Sequence, residues 1–363
     1  MKRSARPATS FTLLLSILTV SQLSAVRLRA QSTPLLAYSS DRTGEFEIYV
    51  WDGEETINVS QNPDASDTNP IWSEDGQLVW VANDNENYVT EIYVWDGEQA
   101  INVSQNPEGD HQPAWGPDGR LAWVRLQEGK RDIYIWDGQD AVNFTEHPAN
   151  DEMPAWGSDG RLAWVSYRDG NAEIYVQTGE EAVNISKHPQ DDTHPHWSPD
   201  GRLAWLGIRN GNSEVLVWDG EQVTNVSQHR EWDSFHLWGP DGRLAWLSAR
   251  DGSPSAYVWD GETISKVVSE NSRQANLAWT PDGRLSWQAE QEGNFDIFIW
   301  DGEQITNFTQ SPTNDYTPIW QANGWLAWIN DHDGDWEIFV WDGETTMNIS
   351  QSPGSDRDHQ WGP

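Results

Sequence analysis

Aspartates recur at one fixed position in this sequence, five residues before a tryptophan that ends a short repeated segment. The seven are Asp67, Asp110, Asp151, Asp192, Asp233, Asp315 and Asp356, and Gln274 stands at this position in one further copy. If the copies form a ring, these carboxylates make an acidic collar that would bind a cation or a basic peptide. The alternative is that each aspartate caps a turn by accepting backbone N–H groups. The sequence leaves both interpretations open.

Four aromatic residues in less regular segments are a second set of candidate binding residues. They are Trp232, Phe235, Tyr316 and Trp336. Exposed aromatic side chains in loops stack on sugars or anchor peptides. The alternative is that they pack against neighbouring copies of the repeat.

Three histidines and one acidic segment are the candidates for metal chemistry. His194 and His196 are two residues apart, so they share one face of a strand, and His236 lies one copy further on. These residues are the basis for an alternative function as a lyase or hydrolase acting in a central channel. The segment DHDGDWE, residues 331–337, superficially resembles a calcium loop but lacks its twelve-residue spacing. The chain contains no phosphate loop, nucleophile elbow or metalloprotease motif, so we expect no enzymatic activity and no cofactor, with calcium as the alternative.

The composition excludes several kinds of partner and site. Asp and Glu number 58 against 22 Lys and Arg, and a net charge of −36 repels nucleic acid and anionic lipid headgroups. The absence of cysteine excludes disulfides and thiolate metal sites. A protein or peptide with a basic surface is the favoured partner, although solubility alone would also account for the acidic excess.

Residues 1–30 have the pattern of a secretory signal peptide. Basic residues come first, then the apolar run FTLLLSILTV from Phe11 to Val20, then small residues around Ala25 and Ala30. Ten apolar residues are too few to span a bilayer, although an uncleaved anchor is the alternative. Cleavage would remove five basic and no acidic residues and bring the net charge from −36 to −41. We therefore expect a periplasmic or secreted monomer with no stable membrane insertion.

After a short linker, residues 31–35, the sequence consists of one repeated unit up to residue 363. The unit begins at Leu36, Leu78, Leu121, Leu162, Leu203, Leu244, Leu285 and Leu326, with spacings of 42, 43 and then five times 41 residues. Of the 25 tryptophans, 22 stand in three positions of this unit. The region 36–363 is therefore one array of eight copies with no room for a second domain.

Each unit predicts four short strands, because its alternating apolar runs are separated by turn sequences such as SPDG and WDG. A four-stranded sheet of this size cannot bury both of its faces alone, so neighbouring units must stack. The prediction is an all-β fold, a single eight-bladed β-propeller of four-stranded antiparallel blades, with an open solenoid as the alternative. The first and last strands would share one blade and close the ring.

The two faces of such a propeller differ in sequence variability. Loops that join outer to inner strands and second to third strands vary between copies, whereas the SPDG and WDG turns on the opposite face are uniform. Specificity usually resides in variable loops on a rigid scaffold, which favours the first face as the binding face. It carries Trp232, Phe235, Tyr316 and Trp336.

The repeat resembles that of a known family. The order P-x-W-S-P-D-G, LAW, R-D-G-N-x-E-I-Y-V-W-D-G and N-V-S-Q-x-P-x-x-D is similar to the WD40-like (PD40-type) propeller repeat of TolB-type proteins, over the whole of residues 36–363. TolB proteins are periplasmic and bind other envelope proteins, so the resemblance implies an extracytoplasmic binding scaffold for a protein or peptide. This sequence has eight copies where TolB has six, and we expect neither the N-terminal α/β domain of TolB nor the hydrolase domain of prolyl oligopeptidase-like enzymes. A carbohydrate-binding propeller and a channel-sited lyase or hydrolase are the alternative functions.

Overall fold

The computed structural model describes residues 34–267 and 274–363, and these form eight four-stranded antiparallel sheets. Blade 1 contains β1 (Leu36–Ser40), β2 (Glu47–Trp51) and β3 (Thr56–Asn58), and blade 2 contains β4 (Ala65–Trp72), β5 (Leu78–Asp84), β6 (Thr90–Trp95) and β7 (Ala100–Asn102). Blade 3 contains β8 (Asp110–Trp115), β9 (Leu121–Gln127), β10 (Lys130–Trp136) and β11 (Ala141–Asn143), and blade 4 contains β12 (Asp151–Trp156), β13 (Leu162–Ser166), β14 (Glu173–Thr178) and β15 (Glu181–Asn184).

The remaining blades repeat this order. Blade 5 contains β16 (Asp192–Trp197), β17 (Leu203–Arg209), β18 (Asn212–Trp218) and β19 (Val223–Asn225), and blade 6 contains β20 (Asp233–Trp238), β21 (Leu244–Ser248), β22 (Ser255–Trp259) and β23 (Ile264–Val267). Blade 7 contains β24 (Gln274–Trp279), β25 (Leu285–Gln291), β26 (Asn294–Trp300) and β27 (Ile305–Asn307), and blade 8 contains β28 (Asp315–Trp320), β29 (Leu326–Asn330), β30 (Glu337–Trp341) and β31 (Thr346–Asn348). A 3₁₀ turn, His332–Gly334, lies between β29 and β30.

The last strand, β32 (Asp356–Trp361), completes blade 1 by pairing with β1, so the predicted ring closure is confirmed. Leu36 pairs with Trp361 and Ser40 with Asp356. The strands that carry the aspartates are innermost, because those of successive blades contact one another around the ring. The fold prediction of an eight-bladed propeller is therefore confirmed. The predicted signal peptide, residues 1–30, lies outside the described residues.

Tryptophan accounts for much of the packing between blades. The second strand of each blade contributes a large aromatic side chain that is at most 4% exposed: Tyr38, Trp80, Trp123, Trp164, Trp205, Trp246, Trp287 and Trp328. The hydrophobic clusters span neighbouring blades; Ile48 and Val50 of blade 1, for example, pack with Trp72 and Trp80 of blade 2. Because each blade covers its neighbour, the core is distributed around the ring.

A second set of tryptophans joins the blades through hydrogen bonds. Trp115 Nε1, at the end of β8, donates to the carbonyl of Ile71 in the preceding blade at 3.1 Å. The same bond recurs at Trp72, Trp156, Trp197, Trp238, Trp279 and Trp361, with distances from 3.0 to 3.3 Å. In blade 8, Trp320 donates to Ser286 Oγ, which donates to the carbonyl of Ala278. The repeated P-x-W tryptophan is therefore a link between neighbouring blades.

Each innermost strand contains a β-bulge two residues after the aspartate position. At this point the register with the second strand shifts in all eight blades. The bulge residues have φ between 49° and 60°; they are Asn69, Gln112, Met153, His194, Phe235, Asn276, Thr317 and Asp358. Such bulges redirect side chains. Among the described residues, no helix is long and apolar enough to cross a membrane.

Candidate functional site

The seven repeated aspartates are buried within their blades. Each is at most 1% exposed. Asp110 Oδ1 accepts a hydrogen bond from Trp123 Nε1 at 3.1 Å and one from Arg125 Nε at 2.9 Å. Corresponding arginine partners are present for Asp151, Asp192, Asp233 and Asp356, with distances from 2.8 to 3.6 Å. The structure thus gives six of the seven aspartates side-chain partners inside the blade, and the participation of the seven in ligand binding stays a prediction.

Turn capping is performed by a different set of aspartates. Asp52, in the first WDG turn, accepts hydrogen bonds at Oδ1 from the backbone N–H groups of Glu54 and Glu55 at 3.0 and 2.8 Å. The other WDG aspartates do the same: Asp96, Asp137, Asp219, Asp260, Asp301 and Asp342. The inner-strand aspartates therefore differ in chemistry from the Asx turns that the sequence suggested for them.

Asp67 differs from the five arginine-paired aspartates because, like Asp315, it has no ion pair with an arginine among the described residues. Neither of its carboxylate oxygens has a hydrogen-bond partner within 3.5 Å. Burial raises the pKa of Asp67 to about 7, with a smaller contribution from the nearby Glu47 carboxylate, while Ser60 and Trp80 oppose the rise. The Asp67 carboxyl group therefore changes charge near neutral pH.

A cavity in the centre of the ring lies between the inner strands of blades 3 to 6. Its volume is about 680 Å³, within the range of small-molecule and side-chain binding sites. The lining residues are Gln112, Pro113, Met153, Pro154, His194, Pro195, His196, Leu206, Ser234, Phe235 and His236. Most of these side chains are apolar and none is acidic, so the cavity differs sharply from the acidic composition of the chain.

The bulges place variable side chains in this cavity. Gln112, Met153, His194 and Phe235 are the bulge residues of four successive blades, and all four line it. Gln112 also accepts a hydrogen bond at Oε1 from the backbone N–H of Met153 in the next blade, at 3.0 Å. Of these four residues, the sequence pattern indicated His194 and Phe235 as candidates but not Gln112 or Met153. The available signal was a variable residue two positions after the repeated aspartate, followed by proline in five of the eight inner strands.

Two of the cavity histidines, His196 and His236, are poor bases. The rings of His196 and His236 lie 6.2 Å apart in an edge-to-face arrangement. Burial lowers the pKa of His236 to about 3, helped by the neighbouring His196 and His194, and burial also lowers the pKa of His196. Within residues 34–267 and 274–363, no group of three His, Asp or Glu side chains is arranged to hold a metal ion. At neutral pH, His196 and His236 are therefore uncharged hydrogen-bonding groups.

The four predicted aromatic residues separate into two places. Trp232 and Phe235 of blade 6 are 57% and 54% exposed, and Phe235 lines the central cavity. Trp336 is 46% exposed and lies 6.2 Å from the ring of Tyr316, which is partly buried. Tyr316 also contacts Phe295 at 5.5 Å. Tyr316 is thus packed against neighbours, while the other three present free aromatic surface.

Comparison with known proteins identifies the repeat. The family model described as PD40, TolB beta propeller domain, matches residues 52–217. Comparison with curated protein sequences gives no significant match. The similarity to the WD40-like repeat of TolB-type proteins, inferred from the sequence motifs, is confirmed.

Solved structures show the same fold at low sequence identity. The β-propeller domain of the trilobed protease from Pyrococcus furiosus is 16% identical, with a TM-score of 0.56, covering 80% of this chain and 99% of that one. Dipeptidyl peptidase 4 from Porphyromonas gingivalis is 13% identical, with a TM-score of 0.65, covering 87% of this chain and 58% of that one. A puromycin-hydrolyzing peptidase from Mycobacterium tuberculosis is 17% identical, with a TM-score of 0.59, covering 78% of this chain and 52% of that one. This chain thus spans little more than half the length of these two peptidases.

Proposed function

We propose that this chain, a TolB-like β-propeller repeat protein, is an extracytoplasmic binding scaffold that holds a protein or peptide partner at the centre of its variable-loop face. The partner would insert an apolar side chain into the central cavity of blades 3 to 6. Trp232 would pack beside the inserted segment. The observation that carries the proposal is the exposed Phe235 ring in the wall of a cavity of about 680 Å³.

The chemistry of the cavity supports a peptide occupant. Three prolines and Met153 supply apolar surface, and a few hydrogen-bonding groups stand among them. A mostly apolar cavity with a few polar groups is typical of sites that bind a side chain or small molecule specifically. Exposed aromatic side chains such as Trp232 and Phe235 at the edge of such a cavity are enriched in protein interfaces, and tryptophan is among the side chains that most often dominate the binding energy.

The charge of the chain supports basic residues on either side of the inserted group. The net charge of −36 attracts a positively charged partner and accelerates its association. The cavity itself has no acidic lining residue, so the charged residues of the partner would lie outside it. We further propose that the chain is exported by residues 1–30 and acts as a monomer.

The test is selection of binding peptides from a random library displayed on phage, followed by calorimetry of the selected peptides. We expect an apolar residue flanked by Lys or Arg to be enriched. Phe235→Ala and Trp232→Ala should each weaken binding by about tenfold or more, the usual effect of removing a central aromatic anchor. Tyr88→Ala is the matched control, because Tyr88 is 82% exposed on blade 2 and does not line the cavity.

Two results would reject the proposal. One is failure to enrich any peptide that binds the wild-type protein in solution. The other is equal loss of affinity in the Tyr88→Ala control and in the Phe235→Ala and Trp232→Ala variants. Saturable binding of oligosaccharides, lost with Trp232→Ala, would instead support the carbohydrate alternative.

A further inference from the structure

Four blades hold an arginine in the same place, which we call the arginine slot. The slot lies between the inner-strand aspartate, the second-strand aromatic residue and the third-strand tyrosine. In each case the guanidinium carbon lies 4.2 to 4.5 Å from the centre of the tyrosine ring, which is cation–π geometry. The pairs are Arg42 with Tyr49, Arg125 with Tyr134, Arg168 with Tyr175 and Arg250 with Tyr257.

The arginine also satisfies two oxygen acceptors at the base of the slot. Arg125 contacts both carboxylate oxygens of Asp110, through Nε at 2.9 Å and Nη2 at 3.4 Å. Its Nη2 group donates as well to the carbonyl of Ser104 in the preceding blade at 2.7 Å. Arg250 makes the same contact with the carbonyl of Ser227 at 3.3 Å. An occupied slot therefore contains a planar cation with a carboxylate, a carbonyl and an aromatic face around it.

Blade 8 has the same slot without an arginine. His332 is six residues after Leu326, the position that Arg168 has relative to Leu162, and both are followed by Asp-Gly. Asp315, 1% exposed, accepts hydrogen bonds at Oδ1 from Trp328 and Asn330, both at 2.7 Å. Its Oδ2 atom has no hydrogen-bond partner, and no ion pair to Asp315 occurs among the described residues.

An open cavity is present where the arginine would be. It has a volume of about 410 Å³, and its wall includes Asp315, Trp328, Phe339 and Thr309. The Trp328 and Phe339 rings lie 5.9 Å apart, like the Trp164 and Tyr175 rings of blade 4. Thr309 stands two residues after Asn307, as Ser104 does after Asn102. Gln310 and Thr346, which are exposed, connect the cavity to the surface.

We propose that the blade 8 slot binds a guanidinium group, that of an arginine side chain presented by a partner protein. The guanidinium would lie against Phe339, donate to Asp315 Oδ2 and take the place of the arginine that four sibling blades hold against their third-strand tyrosine. Desolvation raises the pKa of Asp315, and Asp296 adds to this, so a bound cation would relieve an unfavourable buried charge. This site is separate from the central cavity and does not depend on the function proposed for that cavity.

The test is calorimetric titration with N-acetyl-L-arginine amide, a neutral-backbone mimic of an arginine side chain in a peptide. All variants are made in the Asp67→Asn background, because Asp67 of blade 2 also lacks an arginine partner. We expect saturable binding with a dissociation constant of about 1 mM, consistent with a ligand of this size. N-acetyl-L-lysine amide is the matched control probe and should bind about tenfold more weakly, because an ammonium group cannot form the planar two-oxygen contact.

Two substitutions test where the probe binds. Asp315→Asn removes the charged acceptor and should abolish binding. His332→Arg supplies the arginine at the register of Arg168, so it should both abolish binding and raise the midpoint of thermal unfolding. The rise in the midpoint of thermal unfolding shows that the new arginine occupies the slot, because a variant that lost binding through misfolding would have a lower midpoint.

The outcomes separate the sources of the guanidinium group. Equal affinity for the blocked amide and for an arginine-containing peptide supports a protein partner, whereas tighter binding of free L-arginine assigns the slot to the free amino acid and overturns a protein source. No saturable binding, or binding that is unchanged in His332→Arg, overturns the site itself.

Discussion

Leu36 and Trp361 are direct partners in the ladder between β1 and β32, so the first and last strands of the propeller belong to one sheet. Trp361 also donates its indole N–H to the carbonyl of Ile319 in blade 8 at 3.2 Å. The neighbouring Gln360 accepts a hydrogen bond at its carbonyl from Trp72 of blade 2, also at 3.2 Å. One short strand thus connects both neighbouring blades to blade 1.

Deletion of residues 356–363 should therefore destabilise the whole ring. It removes a strand, exposes the edge of β1 and loses the burial of Trp361, which alone is worth about 3–5 kcal/mol. We expect a markedly lower midpoint in urea unfolding followed by tryptophan fluorescence. Deletion of Pro363 alone is the control and should leave the midpoint unchanged. An unaltered midpoint for the longer deletion would show that the ring does not depend on this closure.

Asp67 and Asp110 occupy the same position in neighbouring blades, and their amide variants should have opposite effects on stability. The pKa of Asp67 is raised from 3.8 to about 7, so the folded state binds the proton more tightly than the unfolded state does. Wild-type stability then falls as pH rises from about 4 to about 7, by an amount on the order of 2–4 kcal/mol. Asp67→Asn should remove this decrease in the free energy of unfolding and should therefore stabilise the protein at pH 8.

Asp110→Asn is the matched comparison, because it breaks the buried pair with Arg125. Loss of one partner of such a pair costs about 3–5 kcal/mol and should destabilise the protein at pH 8. Urea unfolding at pH 5 and pH 8 measures both variants. If Asp67→Asn retains the wild-type dependence of stability on pH, the Asp67 carboxyl group does not titrate near neutrality.

His236 should make the protein less stable in mild acid. Its pKa is lowered from 6.5 to about 3, so the unfolded state binds the proton more tightly between these values. The contribution of the uncharged His236 side chain to the free energy of unfolding is fully present above pH 6.5. It is lost as the pH falls from 6.5 towards 3. His236→Leu, which introduces the residue type of Leu277 in blade 7, should gain about 2 kcal/mol over the wild type on going from pH 8 to pH 4.5. An equal difference between variant and wild type at both pH values would contradict this.

Met153→Trp should block the central cavity without destabilising the folded protein. Met153 is a partly exposed bulge residue with φ of 54° at the edge of a core cluster, and it lines the cavity, so a larger side chain at this point reduces the free volume of the cavity. Affinity for peptides selected on the wild-type protein should fall by about tenfold or more, while the urea midpoint changes little. Val142→Trp, on the exposed face of β11, is the control for adding an indole elsewhere. Unchanged affinity with Met153→Trp would place the peptide site outside the cavity.

The fold could be predicted from local sequence because the same pattern of four strands and their turns occurs in eight copies. Turn residues mark every strand end, and the number of copies and the phase of the first and last strands define a closed ring. The tryptophans of the P-x-W and LAW segments also identify the packing surfaces, since a residue this large at one position in every copy must be buried between copies.

The prediction of the site residues was less accurate than that of the fold, because residues at the same position of the repeat have different neighbouring side chains in different blades. Asp67, Asp110 and Asp315 look alike in sequence, yet Asp110 has an arginine partner, Asp315 an asparagine, and Asp67 has neither. The partner lies 15 or more residues away in the second strand or the loop after it, at a register that varies between copies. Pattern alone therefore could not distinguish a paired carboxylate from an unpaired one.

The sequence by itself determined the repeat, the strands, the count of blades and the closure of the ring, because these follow from local turn chemistry and periodic burial. Only the tertiary structure decided which side chains meet in the channel and which slots lack an arginine. A bulge turns Met153 and Phe235 inward, and the absence of an arginine in blade 8 leaves Asp315 Oδ2 buried without a hydrogen-bond partner in the wall of an open cavity. Both depend on how neighbouring blades are packed, which no single repeat specifies.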